Sequence, residues 1–80
     1  MDRKLLEKML VENKVPSDMY SLQGGLPNEA YCIDKIDGKW EVYYSERGTR
    51  SNIGRFDDEE EACNCLIKQI KRNLPGLNFS

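Results

Sequence analysis

The chain of 80 residues contains no histidine. That absence removes Ser-His-Asp and Cys-His catalysis, and with them the usual routes to an activated nucleophile. Cysteine is scarce: Cys32, Cys63 and Cys65 are an odd number without a second pair, which argues against a disulfide framework. Cys63-Asn64-Cys65 has the wrong spacing for a zinc knuckle, and no histidine is present to complete a site. The expectation is therefore no metal and no cofactor, with Cys32 and Cys63 as buried reduced thiols and Cys65 the most exposed. No stretch approaches the roughly 20 apolar residues of a membrane span. The start, "MDRKLLEKMLVENK", lacks a signal-peptide core. A cytoplasmic protein without membrane contact is expected. Strong charge of one sign is also missing: the net charge of −2 argues against a broad basic footprint for nucleic acid.

What is present is globular in character, 39% hydrophobic and 32% charged. The length suits one domain over residues 1–80, near the lower limit for folding without covalent staples. A core of this size supplies roughly 3–5 kcal/mol, to which a partner surface or a homodimer would add.

Residues 1–14 read as a helix, with Leu5, Leu6, Met9 and Leu10 in one apolar stripe and Asn13 as terminator ahead of Pro16. Residues 15–29, "VPSDMYSLQGGLPNE", carry loop chemistry in two prolines and two adjacent glycines. Met19, Tyr20, Leu22 and Leu26 make this an ordered connection laid against the core, with a short strand or turn around Tyr20–Leu22.

Residues 30–56 read as three strands. "AYCIDKI" and "KWEVYYS" are alternating runs on either side of Asp37-Gly38, a dipeptide suited to a type I′ hairpin turn. The turn sets the register: Ile36 opposite Lys39, Lys35 opposite Trp40, Asp34 opposite Glu41, Ile33 opposite Val42, Cys32 opposite Tyr43 and Tyr31 opposite Tyr44. Trp40, Val42 and Ile33 define the core face, because a slip by one residue would expose all three. "SERGTR" makes the second turn with Gly48 left-handed, pairing Ser45 with Arg50 and placing Ile53 opposite Val42 on the core face. Gly54 marks a bulge where Phe56 turns inward. The other face stays open and carries Asp34, Glu41, Tyr43, Arg50 and Asn52.

Residues 57–74 form a second helix, capped by Asp57 or Asp58 with Glu60 or Glu61 three residues on. Its acids suit the positive end of the helix dipole, and Lys71 and Arg72 suit the other end. Ala62, Cys63, Leu66, Ile67, Ile70 and Leu74 form its apolar stripe, Pro75-Gly76 stops it, and the tail "LNFS" docks through Phe79 or frays. The expected fold is α+β in the order α-β-β-β-α, a three-stranded antiparallel meander packed against helices.

Two functional readings compete. Arg47, Arg50 and Arg55 with Tyr43 on a three-stranded sheet resemble the sheet-reading DNA-binding domains of plant ethylene-response factors and phage integrase arms. Asp34 and Glu41 share that face, however, and repel phosphate; Arg50 with Glu41 reads more simply as a cross-strand ion pair. An enzyme is not expected: no nucleophile–base pair is visible, and "LQGGLP" is too short for a phosphate loop and opens no helix.

Residues 14–70 carry a second resemblance. A glycine-bearing loop, Asn28-Glu29 before a strand ending at Cys32, "GKW.VYYSERG" over Gly38–Gly48 and "F...EEA" closing at Ala62 resemble small bacterial immunity proteins of polymorphic toxin systems. The resemblance implies a non-enzymatic protein that binds and neutralises one cognate toxin. On that reading the partner-binding residues are Asp34, Glu41, Tyr43, Glu46, Arg47 and Arg50. Tyr43 is expected to be an exposed aromatic anchor.

Overall fold

Asp2 opens the first helix by accepting a hydrogen bond from the Leu5 amide at 2.9 Å, as seen in the computed structural model, which describes residues 1–76. Helix α1 spans Arg3–Glu12 and buries Leu6 and Leu10, one turn apart. Leu5 and Val11 face solvent and Met9 is half-buried, so the expected stripe narrows to a single line of contact. After Asn13, Lys14 turns left-handed with φ 58°. Its amide returns to Val11 O and that of Val15 to Leu10 O, both at 3.0 Å, which is the Schellman closure. Val15 is buried as a result.

A short 3-10 turn, Ser17–Met19, leads into β1 (Tyr20–Ser21), followed by β2 (Ala30–Ile36), β3 (Lys39–Glu46), β4 (Thr49–Phe56) and helix α2 (Glu59–Asn73). The strands form one sheet in the order β1-β2-β3-β4. The fold is α+β as expected, but the three-stranded meander becomes a four-stranded mixed sheet. The added strand is β1, which pairs parallel to β2 through Tyr20 with Tyr31 and Ser21 with Cys32. It arises inside the expected loop 15–29, where a short strand or turn was anticipated.

The β2–β3 register agrees with the sequence reading at every pair, from Tyr31–Tyr44 to Ile36–Lys39. Asp37 and Gly38 both have positive φ, 51° and 80°, as a type I′ turn requires. Arg47 and Gly48 repeat that geometry at 52° and 77°, so the second hairpin also turns on two residues. Ser45 pairs with Arg50 as expected.

Beyond that point the ladder shifts. Tyr43 pairs with Asn52 and Val42 with Gly54, which leaves Ile53 as the extra residue of a bulge and 38% exposed. The expected Val42–Ile53 core pair is therefore not formed. The cause lies two residues further on. An unbroken ladder would carry Arg55 to the core face and Phe56 to the open one; the bulge reverses both. Phe56 now faces Trp40's side, and Arg55 stands opposite Glu41. Gly54 makes this fit possible, because a Cβ there would lie 2.7 Å from the Phe56 ring.

Helix α2 covers the core face through Ala62, Cys63, Leu66 and Ile70, with Ile67 and Leu74 at its margin. Its cap is Asp58, which accepts from the Glu61 amide at 2.8 Å. Asp57 instead forms an ion pair with Lys39, whose hydrogen bond and charge hold the Asp57 carboxyl below its ordinary value. Asp58→Ala is expected to cost about 1 kcal/mol, read as a lower urea midpoint at unchanged slope, whereas Asp57→Ala leaves the midpoint nearly unmoved. Arg3 joins the layers. Its guanidinium lies 4.9 Å from the Trp40 ring centroid, pairs with Glu59 at 3.3 Å and donates to Leu22 O at 3.0 Å. The expected docking of Phe79 lies outside the described residues.

Candidate interaction surface

Two neighbouring parallel strands oblige the chain between them to return along one face of the sheet. Residues 22–29 make that return, and they use the face expected to be open. The Gly24 amide donates to Ile33 O at 3.1 Å, and Ser21 Oγ donates to Gly24 O at 2.7 Å. Gly24 and Gly25 carry φ of 77° and 85°. Gly24 also passes so near Asp34 that a Cβ would lie 2.3 Å from its carboxylate oxygen. The paired glycines are thus required by a left-handed path pressed against a strand.

Tyr43 lies beneath this crossover. Its hydroxyl donates to Gly25 O at 2.7 Å, and the residue is only 1% exposed. The face was assigned as expected, but Tyr43 is a buried anchor for the crossover and not an exposed one for a partner. Ala30, Cys32 and Tyr43 form a small second apolar cluster here. Burial pushes the Tyr43 phenol up to about 12, with the Cys32 sulfur adding to the shift and Arg50 opposing it. Burial also raises the Cys32 thiol. Ser45 is fully buried on the same face, and its Oγ has no hydrogen-bond partner among the described residues.

Arg50 closes the cluster from outside. Its guanidinium stacks 3.9 Å from the Tyr43 ring centroid and forms a 2.7 Å ion pair with Glu41. Arg55 reaches the other Glu41 oxygen at 4.0 Å. The expected cross-strand pair is present, and Glu41 draws in two of the three arginines on which the DNA reading depends. Tyr43 is thus the latch that fastens the crossover to the sheet; Asp34 lies against it at Gly24, and Arg50, held by Glu41, covers the Tyr43 ring.

The two remaining candidates, Glu46 and Arg47, stand apart from the latch and are exposed at the β3–β4 tip. Arg47 adopts a left-handed conformation that an arginine rarely enters, and Asn28 braces it: the Arg47 amide donates to Asn28 Oδ1 at 3.2 Å. Asn28-Glu29 and the "YYSERG" turn, nineteen positions apart, therefore meet in space. Sequence reasoning marked both segments without placing them together. It missed Arg3 and the outer edge of β4 altogether. Only the Gly24-Gly25 pair hinted at the crossover's path.

Cys32 and Cys63 are buried and Cys65 is half-buried, as expected. Among the described residues, no group of three or more histidine, cysteine or acidic side chains is placed to hold a metal ion. No described helix is long and apolar enough to cross a membrane. No family model, curated protein or solved structure matches this chain.

Proposed function

We propose that this chain is a non-enzymatic binding protein that neutralises a cognate bacterial protein toxin in the cytoplasm of the cell that makes both. The observation that carries the reading is the Asn28–Arg47 contact. It joins two parts of the immunity-protein resemblance, Asn28-Glu29 and the more specific "YYSERG", into one exposed and preorganised tip. Fixing a left-handed turn before binding lowers the ordering cost of association. Glu46 and Arg47 remain free at that tip to meet a partner, while Tyr43 acts by holding the crossover in place. Nucleic-acid binding is the weaker reading, because Arg50 and Arg55 converge on Glu41 instead of offering their charge to phosphate.

The test is co-expression with the neighbouring open reading frame. That frame's product is expected to arrest growth alone, growth is expected to recover with this chain, and the two proteins are expected to co-elute. Arg47→Asn keeps the left-handed turn accessible and is expected to weaken the complex by about tenfold with the unfolding midpoint held within about 1 kcal/mol. Failure to protect, or retention on DNA that is lost with added salt, overturns the proposal.

A further inference from the structure

Strand β4 ends the sheet, and among the described residues nothing pairs with its outer edge. Exposed edges are normally blunted by short length, proline, charged side chains or a bulge. The opposite edge, β1, is two residues long. β4 has eight residues, none of them buried, and neither proline nor lysine among them. Its one irregularity is the bulge at Ile53, which turns that apolar side chain outward.

A groove of about 410 Å³ runs beside this edge, between Phe56 on β4 and Glu61, Asn64, Cys65 and Lys68 on α2. Phe56 and Cys65 are both half-buried and make its wall apolar. A strand added to β4 would present alternate side chains to opposite faces. Those turned toward α2 would enter the groove, and those turned the other way would meet Arg55.

Charge selects among occupants. The chain carries −2 overall; in the groove Glu61 and Lys68 balance each other, and the exposed cation of the edge is Arg55, on the other face. Arg55 is 59% exposed and reaches Glu41 only at 4.0 Å, where Arg50 already holds the carboxylate at 2.7 Å. Lys68 rims the groove and also lines a second depression with Gln69, Lys71 and Arg72. A second copy of this chain fits poorly, since two such edges side by side would set arginine against arginine.

We propose that β4 accepts an extended segment of the partner protein as a fifth strand, one in which apolar and acidic side chains alternate. Main-chain hydrogen bonds to the edge supply affinity, the apolar residues fill the Phe56–Cys65 groove, and the acids, on the other face of the added strand, meet Arg55. The inference rests on the binding-protein reading and names its surface. A peptide probe tests the surface by itself, whereas the co-expression experiment tests the toxin.

The probe is a phage-displayed library of random short peptides, selected on the immobilised full chain. Enriched sequences are expected to alternate acidic and apolar residues. The synthesised peptides are expected to shift the amide resonances of Thr49–Phe56 and Asn64–Lys68. Arg55→Glu is expected to lower their affinity by tenfold or more, an effect of about 1.4 kcal/mol. The side chain is exposed, so the unfolding midpoint should hold; Arg55→Gln repeats the test with a smaller charge change. Four outcomes overturn the proposal: no enrichment, enriched peptides without acids, shifts confined to the Glu46–Gly48 tip, or equal binding by the charge-reversed chain.

Discussion

Tyr43→Ala is expected to cost about 3–5 kcal/mol, as much as a domain of this size has to lose, so the variant is expected to be largely unfolded. The size of the effect follows from what the ring does. It fills the second apolar cluster with Ala30 and Cys32, supports the Arg50 guanidinium, and gives its hydroxyl to Gly25 O. Deletion removes all three, leaves a cavity under residues 22–29 and frees Arg50 from its stack. Tyr43→Phe separates the parts, since it keeps the ring and loses only the hydrogen bond, at about 1 kcal/mol. Urea titration of both variants checks the assignment. A Tyr43→Ala cost below about 1 kcal/mol would mean that the ring is solvated and the crossover does not cover it.

Much of this fold was legible because its determinants are local. Asp37-Gly38 fixes the β2–β3 register within four residues of chain, and the acids before Ala62 mark the start of α2 through the cap and dipole alone. The crossover was not legible. β1 is too short to show a period of two, and its parallel pairing with β2 depends on contacts eleven positions apart. Without that pairing, nothing in the chain says which face residues 22–29 cover. Tyr43 was therefore given the right face and the wrong exposure, and Ser45 went unnoticed. The Ile53 error has a different source. Both Ile53 and Phe56 are apolar and compete for the core face, and a regular ladder would have admitted only Ile53. Seating the larger ring offsets the exposure of the isoleucine and moves Arg55 beside Glu41 as well. Local propensities cannot weigh that exchange, because its benefit appears only when Trp40 is in place on the neighbouring strand. Of the six candidate contacts, Tyr43 binds the crossover, Asp34 lies against it, Glu41 and Arg50 pair with each other beside it, and Glu46 and Arg47 in the turn stay exposed.

Raising the pH from 9 to 12 is expected to unfold the chain, and the sign follows from the two groups whose pKa values move most. Burial, reinforced by Glu59, pushes the Cys63 thiol from 9.0 up to about 11, and burial with Cys32 pushes the Tyr43 phenol from 10.0 up to about 12. In both cases the folded chain holds a proton that the unfolded chain releases. Their contribution is therefore complete below about pH 9 and is lost as pH rises through the folded values. A shift of two units is worth roughly 2.7 kcal/mol, and solvent screening reduces each to about half. Together they amount to much of the stability of a small domain, and the loss is complete only as pH passes the folded values, which places the alkaline midpoint between about pH 11 and 12. Cys63 lies on the core side of α2 and Tyr43 lies under the crossover, on opposite faces of the sheet. Trp40 fluorescence follows the first face and tyrosinate absorbance the second. If the two faces share one cooperative unit, both signals change together. Separate midpoints would show that the crossover opens first, releasing Asn28 from Arg47 while α2 stays packed. Stability that stays level to pH 12 would contradict the burial of both groups.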